Sequence, residues 1–542
     1  MTAIDYSGGR SARWAPIALL ASSLGLVGCA FAIGMPTQTD YPWSASVLLD
    51  GGWRMLQGQI PHQDFHTPIG PVYLLTVSAA MRLAGPGPEV LGLVAAAFFL
   101  FATGLCWLVS RQRMAAWPAA IAALAAGILA LTPALFGSRG SDGISFGGHY
   151  TRVAWSLFTV VVLAAAAPPR SPLHLRARLS EAAIIGICLA VMAGCKVTFA
   201  VASVGVLAVA QAWGDHRRSL HELAVILLAC LVSGAVLLFA AGTTLPAYIA
   251  DLDRSATSAG MLRLVAGYYN ELDIVWVAMF ALGIALVGRH PWAAWRPSLL
   301  SPMPSGVLMI AAVTGSGIAL SATNGIEHAS PIVVAIALIA WARASRLAEA
   351  HRRRAVEMVA IAAVSAWTLR CLAPFVSILT HHGPAIATLE QGPYSHHEFL
   401  SAGSLEMSGE ARLDNLSRNA NALRTELWWQ YLDQGCRLLR PHVSKGSRVL
   451  SLDFVNPFPY ALYLPSARGD HLFWHFQRNI TQSNAPTASE LFRDADFVLE
   501  PRVPIVAESL DKKKRLYDEW LSVHATVVEE NHWWRLFRIT SP

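Results

Sequence analysis

The chain has 542 residues, 54% of them hydrophobic and only 14% charged. A soluble domain carries about 25% charged residues, so a water-soluble enzyme is excluded. The net charge of +6 lies largely in short loops between apolar runs, where it sets topology and does not mark a nucleic-acid surface.

Apolar runs of spanning length recur from Trp14 to about Leu379. They are continuous and do not alternate, which excludes a β-barrel and leaves an α-helical polytopic membrane protein. The predicted spans are 14–35, 88–109, 115–136, 150–168, 181–195, 197–213, 220–241, 272–288, 304–322, 329–345 and 356–376. The first follows Arg10 and Arg13 without a clean cleavage site and reads as a retained span. The run 181–213 is too long for one helix, and Lys196 divides it into two short, tilted spans.

With the N-terminus inside, the cytoplasmic loops carry Arg111 and Arg113, Arg170, Arg176 and Arg178, Arg217 and Arg218, Arg289 and Arg296, and Arg343 to Arg354. The opposite loops hold Asp40, Asp50, Asp64, Asp142, Asp251, Asp253, Glu271 and Glu327. This asymmetry requires that Pro68–Ala84, which begins Pro-Ile-Gly-Pro, is a juxtamembrane or re-entrant helix. The expectation is eleven spans, N-in and C-out, with residues 1–379 as the membrane module and 36–87 as its first outer loop.

Residues 380–542 are polar. Strand-like runs at Arg448–Phe454, Ala495–Leu499, Ala525–Glu529 and Trp534–Ile539 alternate with amphipathic helical stretches at Arg424–Arg440 and Val506–Val523. They predict one small α/β domain outside the membrane. It has no nucleotide-binding glycine motif. Cys436 is its lone cysteine, so it holds no internal disulfide. The histidines at 381, 382, 396 and 397 lack metal-ligand spacing, and no metal site is expected.

Candidate chemistry concentrates in the outer loops. Asp40 stands just beyond the first span, where a carboxylate can deprotonate a hydroxyl at the membrane surface; the plainer reading is a solvated loop acid. Asp142 lies in a Gly-rich loop that also suits a simple turn, followed by His149 and Arg152. Arg152 opens a span, where a guanidinium can bind phosphate or snorkel to lipid head groups. Lys196 interrupts an apolar stretch at a cost of ~2.5–3.5 kcal/mol, which points to a functional or paired charge, with snorkelling as the alternative. Asn324 and His328 flank a late outer turn and offer substrate contacts, or only a polar loop. The aromatics of Asp453–Tyr460 and His471–Phe476 read as sugar-stacking groups or, more simply, as the core of a small domain.

The first outer loop contains Gly58-Gln59-Ile60-Pro61-His62-Gln63-Asp64-Phe65 and then His66-Thr67-Pro68-Ile69-Gly70-Pro71. With Asp40 before them, these residues resemble the pattern of the GT-C superfamily of membrane glycosyltransferases, which includes protein O-mannosyltransferases and the lipid A aminoarabinose transferase. The chain departs from the commonest form, in which His-Pro-Pro is contiguous. The resemblance covers roughly the first two thirds of the chain. It implies a polyprenyl-phosphate sugar as donor and Asp40 as base of an inverting transfer to a glycan, lipid or protein acceptor. It also implies that Asp64, His66, Asp142 or His149 contact substrate, and that in some relatives such acids hold a divalent cation. Lys196 and Arg152 would then stabilise the departing phosphate. The implied location is a bacterial inner membrane, with the C-terminal domain periplasmic. A transporter or lipid flippase, or a non-catalytic envelope assembly protein, are the competing readings; the chain shows no duplicated half of the kind transporters carry.

Overall fold

The computed structural model describes residues 10–32, 43–133, 145–214, 217–258, 305–324, 331–344, 350–388, 425–476 and 479–540. The membrane part contains α1 (Arg10–Ala32), α2 (Trp43–Leu56), α3 (Pro71–Ala84), α4 (Val90–Ser110), α5 (Ala116–Leu131), α6 (His149–Ala166), α7 (Leu175–Trp213), α8 (Leu220–Ala240) and α9 (Leu245–Ser258). After residues outside the description come α10 (Ser305–Asn324), α11 (Ile332–Ala344) and α12 (Ala350–Thr388). Among the described residues, six helices are long and apolar enough to cross a membrane: α1, α4, α6, α7, α8 and α12. The apolar helices α3, α5 and α11 are shorter, and the predicted span 272–288 lies outside the described residues. At 14 residues, α3 reaches only about 21 Å, short of a ~30 Å hydrocarbon core.

The 39 residues of α7 do not form one rod. Lys196 has extended backbone angles (φ −156°, ψ 97°) where the helix would continue. Ser203 Oγ lies 3.7 Å from Met192 Sδ, and Arg218, just beyond α7, bonds Glu181 near its start at 2.8 Å. A straight helix would separate residues 181 and 213 by roughly 48 Å. The two halves therefore fold back as a hairpin with Lys196 at its apex, and the division that the sequence predicts there is the one observed.

A buried charge network ties the open end of this hairpin to its neighbours. Arg113 donates from Nη1 and Nη2 to both oxygens of Glu181 at 2.7 and 2.8 Å. Its remaining N–H groups reach the carbonyls of Ala167, Val109 and Ala164. Arg218 adds a bond to the Ala164 carbonyl and Arg343 one to that of Ala166. The last carbonyls of α6, which have no partner within the helix, are met by cations suited to the negative end of its dipole.

The C-terminal part contains α13 (Thr425–Leu439), β1 (Val449–Ser451), α14 (Phe458–Ala461), α15 (Ala488–Leu491), β2 (Phe497–Pro501), α16 (Ala507–His524), β3 (Ala525–Glu530) and β4 (Trp534–Ile539). The strands form a mixed sheet in the order β1-β2-β4-β3, with β1 and β2 parallel and the other pairs antiparallel. Strands and helices fall within a few residues of their predicted positions. The last helix before this part, α12, continues to Thr388. Trp474, Phe492, Tyr517 and Leu521 fill the core between the sheet and α16. Burial in this core lowers the Lys513 ammonium to about 7, with Nζ donating to the carbonyls of Ser451 and Asp453 and lying 4.1 Å from the Trp474 ring centroid.

The long connection from β1 to β2 holds the domain against the membrane part. Arg54 of α2 is fully buried and donates to Asp50 at 2.7 Å, to the Ala467 carbonyl at 2.7 Å and to Asp470 at 3.4 Å. Trp53 and Gln57 both donate to the Leu464 carbonyl, and Tyr460 donates to that of Pro86.

Candidate functional site

The site forms where the loop between α2 and α3 passes under the C-terminal domain. Gly58 (φ 84°) turns the chain out of α2, and His62 also takes a positive φ of 67°, which a non-glycine residue adopts only when its surroundings hold it there. His62 N donates to the Phe65 carbonyl, and Asp64 Oδ2 accepts from Ile60 N at 2.8 Å, which closes a tight turn. His66 then pairs with the domain through its backbone: His66 N donates to the Asp470 carbonyl and Leu472 N donates to the His66 carbonyl.

Asp251 of α9 gathers this loop. Its Oδ2 accepts from His62 Nδ1 at 3.0 Å and Thr67 N at 3.1 Å, and its Oδ1 from His66 Nδ1 at 2.9 Å and Arg254 Nη1 at 3.2 Å. Burial opposes the charged form, but the bonds from His62 and His66 outweigh it and hold the carboxyl well below the usual carboxylate range. Tyr248, one turn earlier, sets its ring 4.7 Å from that of His62, tilted by 44°, and donates to the Ala193 carbonyl next to the α7 apex.

His66, Thr67, Asp251, Arg254, His471 and Asn479 are among the residues that line a shallow, partly open cleft. The domain contributes one wall. His471 is buried, with its ring 5.3 Å from that of His66, and burial holds it well below the usual imidazole range. Asn479 accepts from His475 N and donates to the Phe473 carbonyl, which fixes the wall's backbone.

The same loop touches the α7 apex. Gly70 N donates to the Cys195 carbonyl at 3.2 Å, and a Cβ on Gly70 would stand 2.2 Å from the Gly194 carbonyl oxygen. Glycine is what permits this approach. Lys196, half-buried at the apex, sets its ammonium 5.6 Å from the Tyr150 ring centroid. Arg152 lies two residues further along α6, fully buried, with Nη2 donating to the Ser145 carbonyl at 2.7 Å.

The structure therefore brings His66 to the cleft and sets Lys196 against the next stretch of the same loop. Asp64 stands at the loop turn, with its carboxylate on Ile60 N and 3.7 Å from Arg468. His149 is buried away from the cleft. Its Nδ1 meets the Tyr73 hydroxyl at 2.7 Å and its Nε2 meets the Ala130 carbonyl at 2.8 Å. The carbonyl needs a donor, so Nε2 carries the proton and Nδ1 accepts from Tyr73. Both nitrogens are engaged, and this residue supports the tyrosine instead of contacting a substrate. Asp40, Asp142 and His328 lie outside the described residues, and Asn324 ends α10. Among the described residues, no group of three or more His, Cys, Asp or Glu is placed to hold a metal ion, and Asp64 already has partners. Sequence reasoning missed the role of Asp251, Arg254 and His62. The available signal was the pair of histidines four residues apart in the loop.

Fold and site together define a polytopic helical membrane protein with a small α/β domain clamped to one end of the bundle. No family model and no curated protein matches the chain. Among solved structures, the chain is similar to ArnT from Cupriavidus metallidurans bound to undecaprenyl phosphate, at 12% identity over 96% of this chain and 97% of that one, with a TM-score of 0.44. It is also similar to the Archaeoglobus fulgidus oligosaccharyltransferase in complex with zinc and sulfate, at 12% identity over 88% of this chain and 67% of that one, with a TM-score of 0.29.

Proposed function

We propose that the chain is a GT-C-type membrane glycosyltransferase that moves a sugar from a polyprenyl-phosphate donor to an acceptor hydroxyl on the periplasmic side of a bacterial inner membrane. One observation carries the reading. The hairpin of α7 sets the Lys196 ammonium over the Tyr150 ring at its apex, next to Cys195, whose carbonyl meets Gly70 of the loop that leads to the polar cleft.

The chemistry follows from that placement. The arginine-rich end of the bundle faces the cytoplasm by the positive-inside rule, so the cleft faces out. Nucleotide sugars are made in the cytoplasm, and a sugar used outside must arrive on a membrane carrier. The polyprenyl tail dissolves in the bilayer and leaves its phosphate at the depth of the apex. The acceptor oxygen attacks the anomeric carbon in line, and the bond from that carbon to the phosphate oxygen breaks. Asp40 takes the hydroxyl proton, Lys196 and Arg152 stabilise the negative charge on the departing phosphate, and the anomeric centre inverts. The donors on Asp64 suit a turn and not an ion, so no step is routed through a divalent cation.

The test is transfer from radiolabelled polyprenyl-phosphate sugars by the full-length protein in liposomes. Asp40→Asn is expected to lower transfer by about 10³-fold, and Lys196→Ala to lower it by about 10²-fold. A wild-type protein that consumes no polyprenyl-phosphate sugar, or an Asp40→Asn variant as active as wild type, refutes the reading.

A further inference from the structure

The fold-back at Lys196 ends the first half of α7, and the last carbonyls of a helix have no partner within it. In a membrane protein such groups must be met by the protein itself, because lipid offers no donor. Two carbonyls just before the break are met from outside α7. That of Cys195 accepts from Gly70 N at 3.2 Å, and that of Ala193 accepts from the Tyr248 hydroxyl at 2.7 Å. The first donor is a backbone group, which any residue but proline supplies. The second depends on a single side chain.

Tyr248 stands on an element that is itself held in place. One face of α9 points inward, with Tyr248 and Asp251 buried one turn apart, while Leu245 and Ile249 are exposed on the other. Thr67 N donates to Asp251 at 3.1 Å. Thr243, just before α9, donates from its hydroxyl to the Pro61 carbonyl at 2.8 Å. Asn484 of the C-terminal domain donates to the Arg254 carbonyl at 3.2 Å. None of these bonds depends on the charge of a histidine. The outer loop, α9 and the domain thus form one frame, and Gly70 and Tyr248 are two points at which it grips the end of the half-helix.

Lys196 follows that end directly, so the place where the half-helix stops sets where the ammonium lies over the Tyr150 ring. We infer that Tyr248 is a positioning residue, whose hydroxyl anchors the broken end of α7 and thereby holds the Lys196 ammonium where it meets the departing phosphate. The phosphate rests on the transferase reading, whereas the anchor needs no turnover. Tyr248 acts through the apex and does not touch substrate, since its side chain is buried and its hydroxyl donates to the carbonyl. Small displacements of a group that stabilises the transition state lower the rate of the chemical step and leave acceptor binding alone.

Tyr248→Phe keeps the ring and removes the donor. In full-length protein in nanodiscs, hydrogen exchange read by mass spectrometry is expected to quicken several-fold in peptides covering Ala190–Ala200. Peptides covering Arg178–Ile185, at the opposite end of the hairpin, are expected to be unchanged. Equal exchange at the apex, or faster exchange at both ends, overturns the anchor. With a labelled polyprenyl-phosphate sugar, kcat is expected to fall about tenfold while KM for the acceptor stays within about twofold. In a Lys196→Ala background the same change is expected to lower kcat by less than about twofold, because the group it positions is gone. Losses that multiply in the double variant, or a raised KM with kcat unchanged, overturn the positioning role. Transfer that is intact in wild type and untouched by Tyr248→Phe sinks the inference and spares the transferase. An apex that exchanges faster in Tyr248→Phe, in a protein that transfers no sugar, sinks the transferase and spares the anchor.

Discussion

At the open end of the α7 hairpin, Arg113 engages all five of its N–H donors, two of them on Glu181, and Arg218 takes a further bond to the same carboxylate. In the loop under the C-terminal domain and in the wall facing it, His62 and His471 each keep a buried ring nitrogen with no partner among the described residues. Both regions satisfy their buried carboxylate, Glu181 in one and Asp251 in the other, but only the second leaves buried imidazole nitrogens unmatched. A saturated network behaves as a joint, because every group it orients is already matched. Unmatched buried groups are uncommon in folded proteins and call for an explanation such as strain, catalysis or a bound water.

Four measurements can break or sharpen this contrast. The largest expected effect is on Glu181. Glu181→Ala strands two buried arginines, and about 3–5 kcal/mol of stability should be lost in detergent melts; a near-neutral result would show that the joint is not structural. Gly70→Ala comes next. Its Cβ would press on the Gly194 carbonyl 2.2 Å away, so the loop and apex must separate, at a cost of about 1–3 kcal/mol. Unchanged melting there would mean that the contact is slack.

The domain supplies the third. Folded Lys513 holds its proton only below about 7, whereas the unfolded chain holds it to about 10.5. Between those values the unfolded state binds more protons, so stability should rise with pH across that window and be lowest below it. Chemical denaturation at intervals from pH about 7 to 10 checks this, and Lys513→Met should flatten the slope. Smallest is Lys196→Ala, which removes a half-buried group at the functional end. Stability should move by less than about 1 kcal/mol while transfer falls about 10²-fold. A large loss of stability with little effect on transfer would place Lys196 with the joint.

Much of the architecture was readable because its signals are local. The strands carry their own alternation, and a lysine inside an apolar run announces the division of α7 at the residue where it occurs. The cleft was only half readable. His66 stands in a recognisable loop, but Asp251 lies 185 residues away and looked like any other loop acid. His471 sat in an aromatic stretch that reads most simply as core. Two of its neighbours, Leu472 and Trp474, are core, while the histidine between the domain and the loop is not only that. His149 illustrates the opposite failure. A histidine at the mouth of a span looks functional, and only tertiary contacts reveal a tyrosine and a carbonyl already waiting for it.

The docking of His66 between Asp470 and Leu472 has a consequence for biogenesis. The loop is translated more than four hundred residues before the segment that completes it. A nascent chain can therefore insert its helices and close the arginine joint while the far side of the cleft has yet to emerge from the ribosome. The pocket comes into being only once the last stretch has emerged and folded, so a stalled or clipped chain would sit in the membrane without a finished pocket.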